Sequence, residues 1–195
     1  MKAKTILLAA VVSSGVFMSC ATADGGRGIL STNPVSVATR NAGSGGAIGG
    51  IGAADGRIGN GQLSITQTDV PAIANLDPAL RRAVTKAAAA AAERGVTVQI
   101  TSGWRSREYQ QRLLDEAVEK YGSLREAKKW VATPDASSHT RGKAVDIGPT
   151  EAAYWMRDHG AAYGLCQTYA NEVWHYQLAT TPRDTCPPPS ADAGE

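Results

Sequence analysis

At 195 residues the chain has room for one ordinary domain with tails, not two. Its 20 basic and 18 acidic side chains leave a net charge of +2 with the signs interleaved, which excludes the basic stripe of a nucleic-acid binder. Hydrophobic residues make up 43%, enough for a core, and many of the 21 glycines crowd one N-terminal stretch.

The first 23 residues read as a targeting segment. Lys2 and Lys4 precede an apolar run from Ile6 to Met18, broken by Ser13, Ser14 and Gly15. That run is too short to cross a bilayer. Two processing routes compete. Ala21-Thr22-Ala23 is a small-x-small cleavage site, whereas Cys20 is a candidate for lipidation, with Phe17 standing where lipoproteins usually carry Leu. Either route leads out of the cytoplasm, to the cell envelope or beyond, and a membrane enters only as the seat of a lipid anchor. A buried N-terminal helix is the remaining alternative.

Residues 24–62 are rich in Gly, Ser, Ala and Thr and lack a sustained hydrophobic period, so they are expected to be a flexible linker. Their glycines are not followed by Gly-Lys-Ser/Thr, which leaves a nucleotide site without support. Order is expected from Leu63, in a domain over residues 63–181. Asp77 caps a helix with Pro78 in its first turn, and the alanine-rich stretch carries it to Gly95. Residues 96–101 alternate with β-branched side chains and predict a strand. Ser106 caps a second helix ending near Gly122. The capping box Ser123-x-x-Glu126 opens a third, expected to end near Ala132. A polar loop over 133–143 leads to a strand over 144–147. Thr150 is the expected cap of a helix that stops at His159-Gly160, and residues 173–178 form the last strand. Helices and short strands in irregular alternation predict an α+β fold, with a small, mainly antiparallel sheet packed with helices. The Pro-rich tail, residues 182–195, is expected to be ordered only as far as Cys186.

The chain has three cysteines. Either fate of Cys20 leaves Cys166 and Cys186, which an oxidising compartment would let bond. Two free thiols are the alternative. The bond would pin the tail beside the strand that carries His175.

Only three histidines are present. His139 lies seven residues before Asp146, and Glu172 three before His175. Two imidazoles and one carboxylate make a three-ligand zinc site with an open position, and a fourth group is then needed to take a proton from water. His139 falls in the loop before the strand that contains Asp146, so a turn can bring the two together. Glu172 and His175 would face opposite sides of a regular strand, so Glu172 must precede it. There is no His-Glu-x-x-His. On these residues alone, scattered polar groups at strand ends remain an alternative. His159, at a helix C-terminus where a cation suits the dipole, is assigned no part. Trp104 and Trp174 flank the proposed site and favour packing, while Arg107, Arg112, Lys120, Arg125 and Lys128 read as a solvated helix face.

Three separated elements carry a family resemblance. They are Ser102-Gly103-Trp104-Arg105-Ser106 with Gln110, then Ser137-x-His139-x-x-Gly142-x-Ala144-x-Asp146, then Glu172-x-Trp174-His175. Together, over roughly residues 69–178, they resemble the VanY-like D-alanyl-D-alanine carboxypeptidases, zinc enzymes related to the hedgehog and lysostaphin-type folds. The resemblance implies that His139, Asp146 and His175 bind one Zn2+ and that Glu172 is the general base and later the acid. It implies that Arg105 stabilises the oxyanion, and that Ser137, Gln110 and Trp174 contact the substrate. The expected activity is removal of a terminal D-alanine from peptidoglycan stem peptides. Cleavage as an L,D-carboxypeptidase or endopeptidase is a second possibility, and a zinc-containing wall-binding module a third. The expected partners are stem peptides, not nucleic acid, and the expected state is a monomer. Val173 departs from the Pro that relatives often carry between Glu and Trp. No Ser-x-x-Lys occurs, which disfavours a serine-type enzyme.

Overall fold

In the computed structural model the described residues are 50–59 and 61–194. The expected targeting segment, with Cys20, and most of the expected linker lie outside them. Among the described residues no helix is long and apolar enough to cross a membrane.

Capping chemistry sets most helix starts. Pro71 seeds the short α1 (Pro71–Ala74). The Asp77 carboxylate accepts the N–H groups of Ala79 and Leu80 and opens α2 (Pro78–Ala92). The Ser106 hydroxyl accepts Tyr109 N–H and opens α3 (Arg107–Tyr121), which Gly122 stops in the left-handed region. Ser123 does the same for Glu126 N–H at α4 (Leu124–Lys128). The Glu126 carboxylate pairs with Arg125 and Lys129. Expected to reach Ala132, α4 ends sooner. Trp130 and Val131 both donate to the Ala127 carbonyl, and the Trp130 ring stacks on Tyr121 at 6.0 Å. Thr150 is the first residue of α5 (Thr150–His159) after Pro149, not its cap.

The sheet is antiparallel, as expected, in the order β1-β2-β4-β3. Its strands are β1 (Gln99–Ser102), β2 (Ala144–Gly148), β3 (Leu165–Gln167) and β4 (His175–Leu178). Val145 and Ile147 of β2 and Tyr176 of β4 turn into a core shared with Leu80, Val84 and Ala87 of α2 and with Ala152, Trp155 and Met156 of α5. The alternate residues, Asp146 and His175, therefore point to the opposite face. A smaller cluster of Leu114, Ala117 and Ala127 joins α3 to α4.

The first and last strands, expected over 96–101 and 173–178, are shorter, and at both ends of the domain the packed structure extends past the expected bounds. Packing begins before Leu63: Ile58 lies against the core, and Asp55 accepts Ser106 Oγ–H (3.0 Å) on its carboxylate and Ser106 N–H (2.9 Å) on its carbonyl. The tail also continues past Cys186. Cys186 is bonded to Cys166 of β3, and Ser190 then pairs with Tyr169.

Candidate active site

Asp146 and His175 are cross-strand partners in the β2–β4 ladder, so their side chains emerge side by side from the sheet's central strands. Asp146 Oδ1 lies 3.2 Å from His175 Nδ1 and 3.4 Å from His139 Nε2, and the two nitrogens are 3.2 Å apart. All three residues are buried.

His139 arrives on the loop before β2, and two glycines hold that loop in place. Gly142 adopts φ +66°, and a Cβ there would collide with the Asn75 carbonyl. Its own carbonyl accepts Asp77 N–H at 2.8 Å, which docks the loop on the start of α2. A Cβ on Gly103 would collide with the Ala72 carbonyl. The Gly103 carbonyl accepts the His139 Nδ1 proton at 2.8 Å, so His139 Nε2 turns its lone pair to the centre. Gln177 stands 3.0 Å from His175 Nε2. The contacting atom is the Gln177 amide nitrogen, which also donates to Thr168 Oγ1 at 2.9 Å, so Gln177 ties the His175 ring to the segment after β3.

Charge is arranged to suit a cation. Burial, with Arg105 and His175 adding, lowers His139 to a pKa of about 4, against an increase from Asp146. The imidazole is therefore neutral at neutral pH. Burial works to raise the Asp146 carboxyl, but His139, His175 and Arg105 hold it well below the usual carboxylate range. Two imidazoles and an ionised carboxylate, with ligand atoms all within 4.8 Å of one another, fit a zinc ion with an open coordination position.

Glu172 precedes β4, as its spacing from His175 requires, and its Oε2 lies 3.7 Å from His175 Nδ1. Burial raises its pKa to about 7, with Asp146 and Asp192 adding and His175 and Arg105 opposing. A carboxyl at that value can both accept and return a proton near neutrality.

Arg105 donates Nη2 to Asp146 Oδ2 (2.9 Å), Nε to Ser102 Oγ (2.8 Å) and Nη1 to Gln110 Oε1 (3.0 Å). Gln110 is buried in α3 and its amide donates to the Ala132 carbonyl. Gln110 lines the cavity, and its side chain also holds Arg105 in place. Ser137 is buried and Trp174 is 40% exposed, and both line the cavity. Trp104 packs on the core, as expected. The cavity holds about 220 Å³ and is also lined by Trp130, Ser138, Tyr169 and Ala193, which sequence reasoning missed. Tyr169 had a readable signal, a phenol three residues before Glu172. Burial, with Glu172 adding, pushes that phenol up and keeps it protonated.

Residues 74–181 match the VanY family of D-alanyl-D-alanine carboxypeptidases. The chain belongs to the VanY family. A D-alanyl-D-alanine carboxypeptidase of Enterococcus faecalis (strain ATCC 700802 / V583) is 32% identical over a match spanning 43% of this chain. The match takes in 40% of that protein, so this VanY chain corresponds to about two fifths of the curated relative. Two solved VanY structures each align at 28% identity and TM-score 0.50 over 52% of this chain. One is a mutant of the vancomycin resistance D,D-pentapeptidase VanY from a VanB-type cassette in complex with Zn(II), covered to 71%. The other is VanYB in complex with D-alanine-D-alanine, covered to 70%.

Proposed function

We propose that this chain is a zinc-dependent D,D-carboxypeptidase that removes the terminal D-alanine from peptidoglycan stem peptides. The convergence of His139, Asp146 and His175 with Glu172 on one buried face carries the reading. A zinc ion held by the three ligands supplies Lewis acidity, polarising an amide carbonyl and acidifying water. Glu172 takes a proton from the attacking water as its oxygen bonds to the carbonyl carbon. As the C–N bond breaks, Glu172 returns that proton to the leaving amine. The Arg105 guanidinium, locked by Ser102, Asp146 and Gln110, is a fixed positive charge beside the oxyanion that develops. Ser137 and Trp174 line the space left for the end of the peptide. A pure binding module has no use for a carboxyl poised near neutrality beside the ligand set.

Export to an oxidising compartment is part of the same proposal, supported by the Cys166–Cys186 bond. The test is mass analysis of stem peptides incubated with zinc-loaded protein, with a chelator control. Pentapeptide should lose one alanine while tetrapeptide persists. Loss from the tetrapeptide instead would move the specificity to L,D-cleavage, and no chelator-sensitive product from either would defeat the reading.

A further inference from the structure

The stretch after Cys186 has no part in the mechanism above, yet it reaches the cavity. It leaves β3 at the Cys166–Cys186 bond and passes through Pro187, Pro188 and Pro189. It then joins the segment after β3: Ser190 N–H donates to Thr168 O (3.0 Å), and Ala170 N–H donates to Ser190 O (2.8 Å). Further on it meets the end of α4, where a Cβ on Gly194 would stand 3.2 Å from the Lys128 carbonyl. Between these two anchors Ala193 forms part of the cavity wall that also holds Glu172, Trp130 and His175. Next to Ala170 and Glu172, Asn171 Nδ2 donates to the Lys129 carbonyl at 2.9 Å and ties this segment to the end of α4.

Three consecutive prolines favour a stiff extended path, so the chain runs from the disulfide to the Ser190 anchor at low entropic cost. Proline has no N–H to donate, which leaves Ser190 as the donor after the proline run. The cavity of about 220 Å³ is smaller than the roughly 300–1,000 Å³ of clefts that take drug-sized ligands. A peptide that runs on past the scissile bond needs a groove open on both sides of the reacting centre. A cavity stopped on one side takes a small last residue.

Resting on the peptidase reading, we propose that residues 187–194 are a specificity strap. With the Asn171–Lys129 contact they close one side of the cavity and confine hydrolysis to a small residue at a free peptide end. The strap acts on substrate length and leaves the chemistry to the residues already described.

The experiment compares the full chain with a variant ending after Cys186, which keeps the disulfide, and with full-length Ser190→Pro, which removes the donor to Thr168. Each is given an acyl-Lys-D-Ala-D-Ala peptide with a free end and the same peptide extended by two glycines. The full chain should prefer the free end, and in both variants the ratio of kcat/KM values should fall by about tenfold or more. Zinc should also leave the variants faster under excess chelator, a readout that needs no turnover. Unchanged ratios in variants that retain zinc, or equal loss of both cleavages, overturn the strap. If the full chain cleaves neither peptide, the peptidase reading fails on its own. The chelator rates then decide the strap, and equal rates in all three proteins overturn it.

Discussion

Arg105 donates Nη2 to Asp146 Oδ2 while Asp146 Oδ1 faces both imidazoles, so one carboxylate joins the guanidinium to the ligand set. Both partners are largely buried, and Gln110 and Ser102 occupy other Arg105 donors. Arg105→Ala should therefore lower kcat by about 10²–10³-fold, the scale of losing one oxyanion donor. Gln110→Ala should lower it less, because Arg105 keeps its other two partners. Steady-state kinetics with elemental analysis of zinc checks both; Gln110→Ala costing more than Arg105→Ala would contradict the support role.

Glu172→Gln should keep zinc and lose about 10³-fold in kcat, within the range for a positioned acid–base group. Turnover near the wild-type value would remove Glu172 from the proton transfer.

The same residue predicts a pH effect on the metal-free protein. Glu172 sits at about 7 when folded against an ordinary 4.5, so between those values the unfolded chain has lost a proton that the folded chain keeps. Its contribution to stability therefore falls as pH rises through that window, by up to about 3 kcal/mol. His139, at about 4 against 6.5, works in the opposite sense over nearly the same window, because there the unfolded chain binds the proton that the folded chain refuses. Metal-free wild type should thus be nearly flat in stability from pH 4.5 to 6.5. Metal-free Glu172→Gln should gain stability across that range and exceed wild type at pH 8. Urea midpoints at pH 5 and pH 8 measure this; equal midpoints for the two proteins at pH 8 would contradict it.

His139→Ala and His175→Ala should each abolish stoichiometric zinc. Gln177→Ala, which removes the partner of His175 Nε2, should weaken zinc by about 10–100-fold, as loss of an orienting contact does. Competition with a chelating dye gives the affinities. Gln177→Ala with unaltered affinity would show that the His175 ring is held by its neighbours alone.

Reduction of Cys166–Cys186, which closes a separation of 20 residues, should cost about 3 kcal/mol of stability. Thermal melts with and without reductant measure it, and the Cys166→Ser variant should then be insensitive to reductant.

The grouping of His139, Asp146, His175 and Glu172 was legible through the motif elements that resemble the VanY family; spacing alone left scattered polar groups open and set only local limits. Glu172 had to precede the strand, and a turn had to bring His139 to Asp146. Helix starts at Asp77, Ser106 and Ser123 were legible because capping is local chemistry written in one residue. What escaped the sequence depends on distant backbone. β3 is three residues long and has no period to detect. Gly-rich residues 50–58 look like spacer until Asp55 meets Ser106. The tail after Cys186 is held by main-chain hydrogen bonds at Ser190, which no side chain announces. Gln110 was placed at the cavity, where it lies, but its hydrogen bond to a guanidinium five residues away in sequence was not legible.

The two central strands, β2 and β4, carry Asp146 and His175, whereas Trp130, Tyr169 and Ala193 come from the ends of short elements and from the tail. On the proposed reading, diet and engine are thus built from separable parts. A lineage could change which peptides it trims by editing the periphery, with the metal-gripping framework passed on intact.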